Sequence, residues 1–338
     1  MGPPGCTVAG MSAQEQQDWD VVVVGGGAAG LSGALVLARS RRSVLVVDAG
    51  DPRNAPAAGV HGFLTRDGVP PAELLERGRA EVRGYGGSVL RGEVTGVTRD
   101  DGALVVSLAG GRVLRARRLL VATGLADELP DVPGLRERWG HDVLHCPYCH
   151  GWEVRDRAIG VLASGPMSVH QALLFRQLSA DVTYLAHTRP PEDAEAEQLA
   201  ARGIRVVTGA VAGVDVEDDR LAGVDLADGT RVPLEALAVA TRMRARAAFL
   251  AGLGLHPVPH PAGVGEHLPA DPFGRTDVPG VWVAGNVTDL AAQVGAAAAA
   301  GAMAAAQINA DLVTEETGAA VAAHRAASPA APAAAGAR

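Results

Sequence analysis

The sequence predicts an α/β protein of two Rossmann-like, three-layer nucleotide-binding domains, the first discontinuous and the second inserted within it. Three observations predict it. Val21 to Val24 is an unbroken β-branched run, as in a strand buried on both faces of a parallel sheet. It leads directly into Gly25-Gly26-Gly27-Ala28-Ala29-Gly30 and a helix-like stretch from Leu31 to Ser40. A second strand–loop–helix unit occupies Ala158 to Leu162 and Met167 to Leu178. Finally, a strand near Val281 to Val283 ends in Gly285-Asn286 before an Ala-rich helix from about Gln293 to Leu312, an arrangement that can close back on the first domain's cofactor.

Residues 1 to 17 read as a flexible leader in which Met11 is an alternative start. In the first loop Gly25 permits the tight turn, Gly27 lets the backbone approach a pyrophosphate, and Gly30 lets helix and strand pack closely. The N-terminus of the helix that follows offers free N–H groups to the phosphates. The next strand, Ser43 to Val47, ends in Asp48-Ala49, and an acid eighteen residues beyond Gly30 can accept hydrogen bonds from a ribose. Between Asp48 and Leu90 the chain leaves the simple βαβ pattern. The turn-rich stretches Asp51-Pro52-Arg53-Asn54 and His61-Gly62-Phe63-Leu64 resemble insertions that wrap a cofactor's reactive ring. Asn54 and His61 are therefore candidates for cofactor or substrate contact, with ordinary loop roles as the alternative. A helix is expected from about Pro70 to Arg83. Alternating segments at Leu90 to Thr98, Ala103 to Leu108 and Gly111 to Ala116, with Asp-Gly and Gly-Gly turns, read as an antiparallel meander. Arg118 to Val121 is then a strand returning to the sheet, and Ala122-Thr123-Gly124 lets backbone lie against the cofactor.

Chemistry concentrates in His145-Cys146-Pro147-Tyr148-Cys149-His150-Gly151-Trp152-Glu153. Two cysteines separated by two residues, with a histidine on each side, can cycle between dithiol and disulfide beside a proton carrier. A zinc half-site would need a second ligand pair, and the only other cysteine is Cys6 in the leader, so no metal is expected. A buried, inert pair is the other structural alternative. The second nucleotide loop, Ala163-Ser164-Gly165-Pro166-Met167-Ser168, lacks its first glycine, and Pro166 removes one backbone donor. Beyond the next strand, Asp181 to Leu185, only Arg189 is available for a 2'-phosphate. This domain closes with another meander and Ala236 to Thr241. Residues 314–338, rich in Ala and Pro, are expected to be a disordered tail.

The 338 residues suit two domains, and 30 basic against 38 acidic residues, net charge -8, argue against a nucleic-acid partner. Every basic residue is Arg, which excludes lysine-based chemistry. No apolar run is long enough for a membrane span, and no secretion signal opens the chain. The cytoplasm is the expected compartment, where a CxxC is more often catalytic than structural.

Taken in order, these features resemble the low-molecular-weight thioredoxin reductase family over roughly residues 19 to 313. The matching motifs are G-x-G-x-x-G, Val121-Ala122-Thr123-Gly124, C-x-x-C, the degenerate second loop, and Val278-Pro279-Gly280-Val281-Trp282-Val283-Ala284-Gly285-Asn286. The resemblance implies FAD as cofactor, in contact with Gly25, Gly27, Ala28, Ala29, Gly30, Asp48, Ala49, Asn54, His61, Ala122, Thr123, Gly124, Gly285, Asn286, Gln293 and Val294. It implies an FAD domain at 18–127 and 247–313, an inserted domain at 128–246 carrying the CxxC, and a homodimer. Within the family, Cys-Pro-Tyr-Cys-His with Gly165-Pro166-Met167-Ser168 and Gly285-Asn286 is similar to the dithiol oxidases that close disulfides in gliotoxin-type and dithiolopyrrolone natural products. Thioredoxin reductases carry an Asp after the second cysteine, a sound second loop, an Arg-rich NADPH patch and Gly-Asp near the flavin. The chain departs at all four places, which weakens the expectation of NADPH more than that of FAD.

Histidine in place of that Asp changes the proton chemistry. An unperturbed histidine titrates about 2.6 units above an aspartate, so taking a thiol proton is roughly 3.5 kcal/mol less uphill for it. An oxidase must deprotonate an incoming dithiol, a task for His150 with His145 as second candidate; both could instead cap a turn. The resemblance turns Cys149 to the flavin and Cys146 to the substrate. The expected reaction forms a disulfide in a small-molecule dithiol, with electrons passing to FAD and then to O2 to give hydrogen peroxide. An NAD(P)H-dependent thioredoxin-disulfide reductase and a flavin-bound redox sensor are the alternatives.

Overall fold

The computed structural model describes residues 18–327. The leader at 1–17, with Met11 and Cys6, and the last residues of the tail, 328–338, lie outside the described residues. The first unit is built from β1 (Asp18–Val24), α1 (Ala28–Arg39), β2 (Val44–Asp48), α2 (Pro71–Gly84), β3 (Ser88–Arg91), β4 (Val94–Asp100), β5 (Ala103–Leu108) and β6 (Val113–Val121). The chain then leaves through β7 (Leu125–Glu128), and after a one-turn helix α3 (Leu135–Arg138) it enters β8 (Val143–Leu144) and the short helix α4 (Pro147–His150). The second unit continues with β9 (Ile159–Leu162), α5 (Ser168–Phe175), β10 (Val182–Leu185), α6 (Asp193–Ala201) and β11 (Arg205–Val207). A meander of β12 (Val211–Glu217), β13 (Arg220–Leu226) and β14 (Arg231–Pro233) precedes β15 (Ala236–Val239). The return passes through β16 (Arg242–Ala245), the small hairpin of β17 (Val258–Pro259) and β18 (Glu266–His267), then β19 (Val281–Val283) and the long helix α7 (Val294–Ala327).

The first sheet has the order β3-β2-β1-β6-β5-β4, and β19 also pairs with β6. Strand β6 explains how one sheet uses both ends of the chain. Its first half pairs antiparallel with β5, Leu104 opposite Ala116, and its second half pairs parallel with β19, Trp282 opposite Leu120. The alternation of β1 then sorts side chains between two cores. Val22 and Val24 join Leu45, Val47 and Leu119 on one face, whereas Val21 and Val23 join α1 and α7 on the other. Such double-sided burial is why the run reads as unbroken apolar sequence. The second sheet, β11-β10-β9-β15-β8, is parallel throughout, with the meander as a separate three-stranded sheet. The two units are joined by an antiparallel ribbon of β7 and β16.

Three sequence expectations are corrected. The segments 111–116 and 118–121 are one strand, β6, because the residues that end the meander also continue the parallel sheet. Leu90 to Thr98 is not one strand; β3 pairs parallel with β2, and β4 starts the meander after Glu93. Residues from Thr314 to Ala327 are helical rather than disordered. Alanine, which makes the tail look like low-complexity sequence, is also the best helix former, and acidic residues on this extension meet arginines from the sheet. Arg118 bonds Asp311 and Glu315, while Arg117 bonds Glu315 and Glu316. Arg42 adds Asn309 and Glu316, and hydrogen bonds from Arg42 and Arg117 hold the Glu316 carboxyl at about 2.

Helices α1 and α7 touch backbone to side: a Cβ on Gly301 would collide with the Ala29 carbonyl, and one on Gly33 would press on Leu120 and Gly301. Gly318, on the same helix, faces open space. Gly301→Ala is therefore expected to cost about 2 kcal/mol or more through overpacking, whereas Gly318→Ala is expected to gain up to about 1 kcal/mol of helix propensity. Urea unfolding of the FAD-loaded protein compares the two; equal effects would contradict this packing.

Candidate active site

The redox turn begins where β8 ends. Cys146 caps the helix of Pro147, Tyr148, Cys149 and His150, with proline in the first turn, where its missing N–H costs nothing. Cys146 and Cys149 form a disulfide with Cα atoms 5.3 Å apart, and the Cys146 sulfur accepts the Cys149 N–H at 3.1 Å. A Cβ on Gly151 would strike the Pro147 carbonyl and Leu178, so glycine lets the end of the helix pack directly against Leu178. From α5, Gln171 Nε2 donates to the His145 carbonyl at 2.7 Å and ties the turn to the second unit.

Every site residue singled out in the sequence except Gly30 lines one cleft of about 1460 Å3. Gly30 is buried below it, because a side chain there would overlap the Gly25 carbonyl. The cleft fits a flavin dinucleotide on several grounds. Gly25 has φ +105°, and its Cβ would strike the Ala122 carbonyl, so the first loop and the 122–124 backbone can meet only through glycine. Gly27 has nothing within 4 Å of a Cβ, which leaves its backbone open to a phosphate, and no side chain caps the start of α1. Asp48 Oδ1 accepts the N–H groups of Gly26 and Gly50, each at 3.2 Å, which fixes the carboxylate beside the loop. Residues Asp48, Gly27, Ala28, Ala29 and Ala49 would hold the nucleotide portion, and Ala122, Thr123, Gly124, Gly285, Gln293 and Val294 the other portion.

Three of the expected contacts have other partners. The Asn286 amide nitrogen donates to the carbonyls of Asp289 and Ala292, at 2.9 and 2.8 Å, and so shapes the turn before α7. Thr123 Oγ1 donates to the Arg246 carbonyl at 2.6 Å. The His61 ring lies between two carboxylates, Nδ1 3.5 Å from Asp67 and Nε2 3.4 Å from Glu153. Asn54 lines the cleft.

Sequence reading missed the charged group that bridges the units. Arg53, in the loop after β2, makes a two-pronged pair with Asp127 of β7 at 2.6 and 2.7 Å, and Thr241 Oγ1 donates to the same carboxylate at 2.5 Å. Burial would raise the Asp127 carboxyl, but Arg53 and Thr241 hold it below the ordinary carboxylate value. Arg53 and Asp127 carry no motif; an Arg in the insertion and an Asp at the domain crossing were the only signals. Arg79 and Arg91 also line the cleft.

The histidines differ in setting. With Nδ1 protonated, His145 donates to the Val239 carbonyl at 3.1 Å. Burial, then the nearby Arg53 charge, lowers its pKa. His150 is also lowered, by burial first, with Glu153 pulling upward and His61 and His141 pulling down. Both imidazoles are therefore neutral at neutral pH and able to accept a proton. The lowering of His150 narrows the basicity margin over aspartate that unperturbed values suggest.

The second nucleotide loop satisfies itself. Ser168 Oγ, fully buried, accepts the N–H groups of Ser164 and Gly165 and donates to the Gly165 carbonyl. Donors that would meet a phosphate are thus taken. Arg189 is held by Glu195 through two hydrogen bonds at 2.9 and 2.8 Å.

Comparison with known proteins gives concordant matches. The family model described as pyridine nucleotide-disulphide oxidoreductase matches residues 19–306. The chain is 32% identical over 314 residues to a Claviceps purpurea (strain 20.1) protein named thioredoxin reductase tcpT, covering 87% of this chain and 95% of that one. Among solved structures, HlmI is 48% identical with TM-score 0.87, covering 92% of this chain and 98% of that one. An oxidoreductase from Agrobacterium tumefaciens is 37% identical with TM-score 0.83, covering 88% and 99%.

Removing the Arg53 cation leaves a carboxylate whose side chain is 6% exposed without its partner. Arg53→Met is expected to cost about 2–4 kcal/mol, below the fully buried range because Arg53 itself reaches solvent. Adding Asp127→Asn should recover part of the loss in urea unfolding. A double variant no more stable than the single one would show that the ion pair does not hold this junction.

Proposed function

Because the chain belongs to the pyridine nucleotide-disulphide oxidoreductase family, we propose that it is a dithiol oxidase, forming a disulfide in a small-molecule dithiol and passing the electrons through FAD to O2. The cofactor is FAD, as in the family and its thioredoxin reductase-like relatives. One observation carries the reading: the CxxC disulfide opens into the same cleft as the first nucleotide loop, while the second loop has spent its donors on Ser168 and its arginine on Glu195. The proposal includes a homodimer, as the family resemblance implies. Among the described residues, no helix is long and apolar enough to cross a membrane.

The residues divide the work as follows. Neutral His150 takes the proton of one substrate thiol, and His145, fixed by Val239, presents its second ring nitrogen as a further acceptor. The substrate thiolate attacks the Cys146 sulfur, the Cys146–Cys149 bond breaks, and Cys149 leaves as thiolate. The second substrate sulfur, deprotonated in turn, displaces Cys146, whose departing thiolate keeps the hydrogen bond from the Cys149 N–H. FAD held by the residues lining the cleft would supply a two-electron acceptor for the resulting dithiol, with O2 as the final acceptor of the two electrons and two protons as hydrogen peroxide.

Anaerobic dithiothreitol is expected to bleach the bound flavin, and air to restore its colour with one peroxide per dithiol consumed. NADPH should not bleach it at a catalytic rate; if it does, the chain is a reductase, and failure of dithiols to bleach it leaves the sensor reading. His150→Gln should slow bleaching by about 10²- to 10⁴-fold. Because burial lowers the His150 pKa, the wild-type rate should hold down to about pH 6.5, the unperturbed value, and fall only as more acid conditions protonate the ring.

A further inference from the structure

Glu153 and His61 form a contact that the proposed reaction has not yet used. Gly151 keeps helical angles and continues the turn towards Glu153, and His61 comes to it from the loop between β2 and α2, which a Val60–Val69 bridge closes. His61 Nε2 lies 3.4 Å from Glu153 Oε1, and on the other side of the ring Nδ1 lies 3.5 Å from Asp67 Oδ2. Asp67 is fixed through its other oxygen, which accepts the Gly62 N–H at 2.9 Å. Each of the three reaches solvent: the side chains of Glu153 and His61 are 34% and 27% exposed, and that of Asp67 is 69% exposed. A half-buried base, two partly exposed groups and a surface carboxylate thus follow one another from the redox helix towards solvent.

We propose that Glu153 is a positioning residue of the dithiol reaction, its carboxylate stabilising the imidazolium that forms when His150 accepts a substrate proton, and that His61 carries that proton on to Asp67 and solvent. This rests on the reading of His150 as base. The physical need is clear. Two protons leave each dithiol, and an imidazole in a desolvating site becomes charged only with an anion near it. Glu153 follows His150 by three residues through Gly151, whose φ of -75° and ψ of -27° continue the helical turn, which makes the carboxylate a neighbour of the imidazole. It favours the protonated ring, whereas His61 and His141 oppose protonation. The reduced Cys146 and Cys149 add thiolates beside it once the disulfide opens. Arg53 and Asp127 act on His145 instead. No electrons move in the relay. One proton passes from the substrate sulfur to the His150 ring, which releases it towards Glu153 and His61 and returns neutral.

The test is the pH profile of anaerobic flavin bleaching by dithiothreitol, measured on FAD-loaded protein. Glu153→Gln keeps the shape and removes the charge; it should move the acid limb at least half a unit lower and reduce the plateau rate about three- to tenfold, since a weaker base transfers less readily. Glu153→Asp should restore most of both. His61→Asn should make the rate depend on added imidazole buffer, which the wild type does not need. An unchanged limb in Glu153→Gln, or no buffer dependence in His61→Asn, overturns the proposal even if melting temperatures fall. If the wild type has no limb that His150→Gln abolishes, the assignment of His150 as base fails instead, and the two failures are distinguishable.

Discussion

The site depends on direct backbone contact along the carboxyl edge of the first sheet. Gly25 turns against the Ala122 carbonyl, Gly30 lies on the Gly25 carbonyl, and Gly301 brings α7 against Ala29. Each contact forbids a Cβ, and each places peptide groups where side chains would otherwise keep segments apart. Because β19 and α7 come from the far end of the chain, the cofactor cleft exists only when both ends pack together. The sheet of the first unit and the cleft therefore rest on the same packing, with the second unit inserted between β6 and β19.

The second unit is attached by a narrow ribbon of β7 and β16, and its orientation over the cleft needs further ties. Arg53 with Asp127 supplies one, and His61 with Glu153 another. They differ in character. The first is a two-pronged guanidinium–carboxylate pair at 2.6 and 2.7 Å, while the second is a single imidazole–carboxylate approach at 3.4 Å. The tighter clamp sits near His145, and the looser contact near His150.

The same family architecture gives the two nucleotide loops opposite fates. In the first, glycine leaves the peptide donors open to the cleft; in the second, Ser168 fills the turn and uses them. A buried N–H must have a partner, so a loop without a ligand is stable only if it supplies its own. Ser168 does so with one hydroxyl, and the capping of α6 occupies Arg189 through Glu195. The chain thereby keeps a Rossmann-like unit as the carrier of its redox turn.

Much of this was legible in the sequence because local rules govern it. The β-branched run of β1, the glycines of the first loop, and the CxxC with its flanking histidines each express their chemistry within a few residues, and cofactor loop and redox turn do line one cleft. The loss of Gly and the presence of Pro166 in the second loop were visible as well. What tertiary structure alone decided is which distant group completes each local feature: Arg53 on Asp127, Glu153 on His61, Glu315 and Glu316 on the sheet arginines, and β6 serving two partners along its length. Single charged contacts have no period in sequence, and the partners named here lie from 74 to 199 residues apart. Their geometry is fixed only after the periodic apolar faces have packed.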